Sequence, residues 1–324
     1  MTITLANRTS AFGTERDGET FNTAEEMLAA AGMLGWNVEK RLALADLGGG
    51  KTAEIPNRWA TVRMDTGQPL GVVRGAYAII QPEEAFAFGD LVLDQPGRNW
   101  MQAGDFKGGE VIFGALRLGD LAFSLPNDPG GLEPYLLIVN SFGGSTNYEA
   151  IITWIRVACW NTFQAARHSF HSRFRLRHTG NLQGKVLAAR EALGVTFQHV
   201  EQEAKPLFTA MAKAKIVDEQ VREIFRETVW PITDTQREKG LKGDEDAELG
   251  FAHYLTSDTL EGIRGTAWGA YQSVTEFLDH REGEYKRRVQ RHTAEQQRQY
   301  VLMFGTGAEK KDRALEAFAS FVKR

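Results

Sequence analysis

The densest chemistry in the chain lies in one stretch, RVACWNTFQAARHSFHSRFRLRHTGN, from Arg156 to Asn181. It holds the sole cysteine, Cys159, three of the seven histidines, five arginines, and no Asp or Glu. Two chemistries suit these residue types. A thiol can act as a nucleophile with His168 or His171 as its base, if nearby positive charge makes the thiolate and the partner lies within hydrogen-bond reach. A row of arginines can instead grip phosphates, since each planar guanidinium fork bonds two oxygens at once.

The bland alternatives weigh differently on the two. Cys159 sits in VACWN, an apolar setting, and free cysteine is among the most buried residue types, so packed support is its ordinary role. His168, His171 and His178 have no second cysteine or carboxylate near them in sequence to complete a four-ligand metal set. The arginines stand out further. From Ala150 to Arg190 there is no acid at all, while Arg156, Arg167, Arg173, Arg175, Arg177, Lys185 and Arg190 are interleaved with Trp154, Trp160, Phe163, Phe170 and Phe174.

In an extended strand Arg173, Arg175 and Arg177 fall on one face, and Phe174 and Leu176 on the other. The spacing of about 7 Å along such a strand approximates the repeat of an extended nucleic-acid backbone. Aromatic side chains beside a basic groove stack bases without reading sequence. The expected interface is therefore Arg156, Arg167, Arg173, Arg175, Arg177, Lys185 and Trp160. The competing expectation pairs the arginines with the protein's own acids and puts the aromatics in the core.

Other motifs carry less. LADLGGGKT ends like a phosphate-binding loop, but Ala45 stands where the first glycine belongs, and Pro56 would interrupt a helix begun at Lys51. A flexible loop is expected there. Asp244–Glu248, inside the polar run QREKGLKGDEDAELG, lacks the alternate ligand spacing of a calcium loop and reads as a solvated charge run in a loop. The basic YKRRVQRH, with Lys286 to Arg291, reads as a water-facing helix side or a second cationic face.

The elements that must position these residues follow from patterning. Thr23 and Glu26 have capping-box spacing ahead of a short helix. RWATVRMD and PLGVVRGAYAII flank Thr66-Gly67-Gln68 as a hairpin, and Pro82 with Glu83 and Glu84 opens a helix. EVIFGALRL, PYLLIVNSF and AIITWIRV are further antiparallel strands expected to join that hairpin's sheet. Cys159 to Phe170 is expected as a helix leaving the sheet, followed by RFRLRH as a short strand. Beyond Leu182 the apolar spacing turns helical. The fold class is α+β: a mostly antiparallel N-terminal sheet with flanking helices, a β-β-β-α-like core, and a helical C-terminal region. The boundaries are 1–55 for an N-terminal helix and loop, 56–181 for the sheet core, and 182–324 for the helical region.

Composition sets outer limits. Hydrophobic residues at 42% and charged ones at 25% are ordinary for a globular protein. No export signal or membrane span is expected, and a single cysteine asks for no oxidising compartment, so the expected location is the cytoplasm. A net charge of -4 offers no global attraction to nucleic acid, so any such binding must use a local patch.

LGWNVEKR, VRMDTGQPLGVVRGAY, YLLIVNSFGGST, IRVACWNT, RLRHTGN, WGAYQSVTEFLDH and FGTGAEKKDRALE, in that order, resemble the phage/plasmid-like protein family grouped as domain of unknown function 932. The resemblance runs from about Leu34 to Glu316 and implies a phage, prophage or plasmid protein working in a bacterial host cytoplasm. The hairpin, helix and further strands are similar, at the level of fold, to phage single-strand annealing proteins of the Erf, Sak and Redβ type, which form rings or filaments on DNA. The resulting expectation is an ATP-independent protein that binds and anneals single-stranded DNA as a homo-oligomer, with no cofactor. A phage exonuclease or a host single-strand-binding protein is its expected further partner. The alternatives are a hydrolase or nuclease assembled around Cys159 and His168, and a phage protein acting on a host factor.

Overall fold

The computed structural model describes residues 20–93, 95–128, 130–156, 161–164, 173–179, 200–232, 238, 244–280 and 294–322. The chain is α+β, with antiparallel sheets followed by a helical C-terminal half. It opens with helix α1 (Ala24–Ala30), where the Thr23 hydroxyl accepts from the Glu26 N–H at 3.2 Å and Glu26 accepts from the Asn22 N–H at 2.8 Å. The Thr23 half of the expected cap is made, while Glu26 reaches the amide one residue before the N-cap and not that of Thr23 itself.

A three-stranded sheet follows, β1 (Val38–Gly48), β2 (Lys51–Arg63) and β3 (Pro69–Val73), in that spatial order. The hairpin around Thr66–Gln68 forms as expected, with Trp59 opposite Val73 and Thr61 opposite Gly71. The glycine-rich segment is not a flexible loop. Gly48, Gly49 and Gly50 all take positive φ and turn β1 into β2. Left-handed backbone in succession is what glycine alone adopts at no steric cost, so the three glycines specify a turn. Lys51 and Thr52 open a strand, where a phosphate-binding loop would need a helix. The expected boundary at residue 55 falls inside β2.

Helix α2 (Pro82–Asp90) has proline in its first turn, and Glu84 accepts from the Gln81 N–H at 3.0 Å. It leads into a seven-stranded antiparallel sheet: β4 (Arg98–Phe106), β5 (Val111–Leu118), β6 (Phe123–Ser124), β7 (Gly131–Ser141), β8 (Tyr148–Arg156), β9 (Asn161–Gln164) and β10 (Arg173–Leu176). The main order is β10-β8-β7-β5-β4; β6 adds to β7, and β9 and β10 lie end to end on the outer edge of β8. Two expectations are corrected. The later strands do not join the first hairpin's sheet but build a second one. Residues 161–164 form a strand paired with Thr153–Arg156 and not the expected helix; Thr162 and Phe163 suit a pleated edge better than a helix interior.

Every residue of β8 is buried, because both faces of this sheet are covered. On one face α2 packs through Phe86 on Trp100 and Phe88 on Tyr148, and the Tyr148 hydroxyl donates to the Ala85 carbonyl at 2.8 Å. On the other, Phe106, stacked on Phe113, meets Tyr300 and Phe304 of a C-terminal helix. The two sheets touch where Gly71 of β3 crosses Gly143, with the Thr61 hydroxyl donating to the Phe142 carbonyl at 2.9 Å. A Cβ on Gly71 would collide with the Gly143 backbone, which has no rotamer to change. Gly71→Ala is therefore expected to cost about 1–3 kcal/mol, as overpacking does, measured as a lower urea midpoint.

The helical half comprises α3 (Lys205–Lys213), α4 (Asp218–Ile224), α5 (Asp244–Thr256), α6 (Ala267–His280), α7 (Ala294–Phe304) and α8 (Thr306–Ala319). Helix α5 corrects the loop expected over 236–250 from Asp244 on; of the earlier part, residues 236, 237 and 239–243 lie outside the described residues. Asp244, Glu245 and Asp246 occupy its first turn, where the helix dipole favours acids, and Ala247, Gly250 and Tyr254 form its buried face. Helix α6 is the centre of this half. All its residues from Ala267 to Asp279 are buried, polar ones included.

Candidate nucleic-acid interface

Strand β10 brings the predicted arginine row to the outer edge of the large sheet. Arg173 lies opposite Ile151, Phe174 opposite Ala150, Arg175 opposite Glu149 and Leu176 opposite Tyr148. Phe174 and Leu176 pack against the core, Phe174 stacking on Phe88 at 6.3 Å between ring centroids. Arg175 is on the opposite face and half exposed, and Arg177 just beyond the strand is exposed. The apolar anchor beneath the arginines is therefore present. The strand's exit is fixed as well: the His178 carbonyl accepts from the Ala78 N–H at 2.8 Å, and the His178 ring stacks on Tyr77 at 4.6 Å.

The protein's own acids answer two of the arginines differently. Arg175 donates from Nε to Glu149 Oε1 at 3.0 Å, while Glu149 itself is buried in β8. That bond uses only the Nε edge. The two terminal amino groups of Arg175 make no hydrogen bond among the described residues and belong to a half-exposed side chain. A carboxylate on Nε thus orients the guanidinium and leaves its paired terminal donors for an incoming oxyanion, at the cost of local charge neutralisation. Glu149 is not among the residues that sequence reasoning brings to the site. A lone acid in the apolar run YEAIITWIR is the signal that could have found it.

Arg156 is a correction. It is fully buried, and its guanidinium forms a two-point ion pair with Asp128, Nη2 to Oδ1 at 2.7 Å and Nε to Oδ2 at 2.9 Å. Its Nη2 also reaches the Thr259 carbonyl at 2.8 Å, and Trp268 Nε1 of α6 donates to Asp128 Oδ2 at 2.8 Å. A buried guanidinium saturated by carboxylate, carbonyl and neighbours cannot take phosphate without opening the core. It locks β8 to the helical half. Asp128 is legible in sequence only as turn chemistry in NDPGG.

Arg167, Lys185 and Trp160 lie outside the described residues, as do Cys159, His168 and His171 and the basic segment from Lys286 to Arg291; the side chain of Arg173 is likewise not described. Among the described residues no group of three or more His, Cys, Asp or Glu side chains is placed to hold a metal ion. Nor does any described helix have the length and apolarity to cross a membrane.

A second buried polar cluster continues from the Arg156 lock. Glu276 of α6 accepts from the Thr259 hydroxyl at 2.5 Å and the Ser257 hydroxyl at 3.2 Å, with His253 Nε2 3.8 Å away. Burial alone would push this carboxyl up, but the His253 imidazole and the Thr259 hydroxyl outweigh it and hold it below its ordinary value of 4.5. A carboxylate lowered on folding contributes stability that is complete above its unfolded pKa and lost as pH falls through the lower folded one. Glu276→Gln is therefore expected to flatten the acid limb of the stability curve below about pH 4.5, followed by circular dichroism. Its hydroxyl and imidazole neighbours are buried, so the cluster offers structure rather than an open catalytic centre.

Comparison with known proteins adds one match. A protein-family model described as "Domain of unknown function (DUF932)" fits residues 69–303, from β3 to α7. No curated protein and no solved structure matches the chain.

Proposed function

This chain belongs to the DUF932 family, and from the surface of β10 we propose that it binds single-stranded nucleic acid through that strand and anneals complementary strands without ATP. The observation that carries the reading is the split character of β10: apolar residues seated in the core, and Arg175 and Arg177 turned outward from an edge paired with β8. Such support matters because a guanidinium held in place loses little side-chain entropy when it meets a phosphate. Neutralised backbones repel each other less, which is all that annealing needs from a protein with no fuel. Arg167, Lys185 and Trp160 extend the same basic and aromatic stretch in sequence. A phage or plasmid setting, a bacterial cytoplasm and a nuclease or single-strand-binding partner belong to this proposal too.

The test is binding of a labelled oligonucleotide at several salt concentrations. Counterion release gives log K a slope of about −0.7 per phosphate neutralised on single strands. No binding at low salt would sink the reading. Glu149→Gln separates its parts: the amide keeps a partner for Arg175 Nε but removes the opposing charge, so affinity is expected to rise severalfold. A fall would mean that Glu149 does more than neutralise.

A further inference from the structure

We propose that the free edge of β1 is a self-association surface, at which two copies of this chain pair antiparallel about a two-fold axis through Ala43. The inference is independent of nucleic-acid binding. It starts from an anomaly of the small sheet. Among the described residues, six of the eleven exposed large apolar side chains, Leu42, Leu44, Leu47, Ile55, Met64 and Val72, belong to this sheet or its turns. β1 is also an edge strand of 11 residues, paired among the described residues on one side only, by β2. Long, apolar, unpaired edges template pairing with another chain unless they are blunted or covered.

The direction of the backbone groups is fixed by one observation. Gln81 uses its side-chain amide as a substitute strand: it accepts from the Val38 N–H and donates to the Val38 carbonyl, both at 2.9 Å. Val38 therefore points its main-chain groups away from β2. Alternation along a strand then turns those of Lys40, Leu42, Leu44 and Asp46 outward as well. The register shift between Leu42 and Leu44 does not disturb this, since the extra residues, Ile55 to Arg58, are on β2. Gln81 closes the edge at its first position, and no hydrogen bond from outside the β1–β2 ladder reaches the main chain at the next four among the described residues.

Those four residues are self-complementary in a single register. Antiparallel pairing centred on Ala43 sets Leu42 against Leu44 and Lys40 against Asp46, each twice across the axis. Every outward N–H and C=O then meets its counterpart, for about eight new main-chain hydrogen bonds. Centring on Leu42 would oppose Lys40 to Leu44 and Asp46 to Val38, a charge against an apolar side chain in both pairs. Centring on Leu44 would oppose Asp46 to Leu42. Only the Ala43 register joins apolar to apolar and charge to opposite charge, the pairings that stabilise antiparallel strands. Asp46 of the second copy would be the first counter-charge for Lys40. Its ammonium is anchored on the Gly75 and Tyr77 carbonyls at 2.8 and 3.0 Å and has no carboxylate partner among the described residues. A two-fold of this kind closes as a dimer, so a ring or filament would need a second, head-to-tail interface.

Cysteine cross-linking in the full chain tests the register. Ala43→Cys is expected to give a disulfide-linked dimer under mild oxidation, because residues on the axis come within the Cα separation that a disulfide spans. Leu47→Cys is not, because its partner would be Glu39 of the other copy. The parent chain, whose one thiol is Cys159, gives the background. Light scattering supplies the second readout: Leu44→Lys, at an exposed site, is expected to raise the dimer dissociation constant about tenfold or more with no change in melting temperature. A parent chain that stays monomeric at tens of micromolar overturns the proposal, as does cross-linking at Leu47→Cys equal to that at Ala43→Cys.

Discussion

Arg156→Met is expected to lower the stability of the fold by about 3–5 kcal/mol, the cost of stranding one member of a buried ion pair. Asp128 would be left as a carboxylate inside the protein with only neutral donors, Trp268 Nε1 and the Gly130 N–H, to answer it. The Thr259 carbonyl would lose the donor that joins it to β8. The paired change Arg156→Met with Asp128→Leu is expected to recover part of the loss. Removing both charges spares their burial, but the indole N–H and the Thr259 carbonyl are then left without these partners, at about 1–3 kcal/mol each. Urea unfolding of the parent, the two single variants and the double variant closes the cycle. A coupling energy near zero would mean that the pair contributes shape and not electrostatics. The same expectation guards the binding experiments: impaired nucleic-acid binding in an Arg156 variant would report a damaged core, not a missing phosphate ligand.

Arg175→Ala combined with Arg177→Ala is expected to weaken binding to a single-stranded oligonucleotide by roughly tenfold or more for each phosphate no longer held at low salt, on the scale of a charge-assisted hydrogen bond. The salt slope should become shallower by about 0.7 per phosphate released. Arg177→Ala alone should barely move the melting temperature, whereas Arg175→Ala takes the guanidinium from the buried Glu149 carboxylate and is expected to lower it, so binding is compared well below the unfolding range. Arg175→Lys refines the point. Lysine keeps the charge but not the planar fork held by Glu149, so an intermediate affinity with an unchanged salt slope is expected. Full affinity and slope in the double alanine variant would move the interface off β10, with the segment from Lys286 to Arg291 next to be tested.

The alternation of RFRL makes one strand with two characters legible in sequence alone, because side-chain direction in a strand is purely local. The Thr23 cap, the helix start at Pro82 and the turn at Thr66–Gln68 are legible for the same reason. What escapes is non-local. Sequence does not show that Arg156 meets Asp128 and Thr259 across the fold, since the pairing depends on how β8 docks on the helices. Strand patterning merges the two sheets into one because it carries no information on which edges join. The acids of Asp244–Asp246 read as a solvated loop and lie instead in a helix, with Glu245 exposed as expected; a surface loop and a solvated helical turn leave the same composition. Cys159, His168, Arg167, Lys185 and Trp160 lie outside the described residues.

Helix α6, enclosed by its neighbours along almost its whole length, bears on how the molecule opens. Its amides have no route to solvent short of dismantling the packing around them, whereas the tip of the β1–β2 hairpin is exposed on both strands. Deuterium uptake should therefore divide sharply: fast at residues 44–54 unless a second chain covers them, and at the rate of global unfolding along Ala267–Asp279. Slow exchange in the outward amides of Leu42, Leu44 and Asp46, growing with protein concentration, would be the signature of partnered edges in solution.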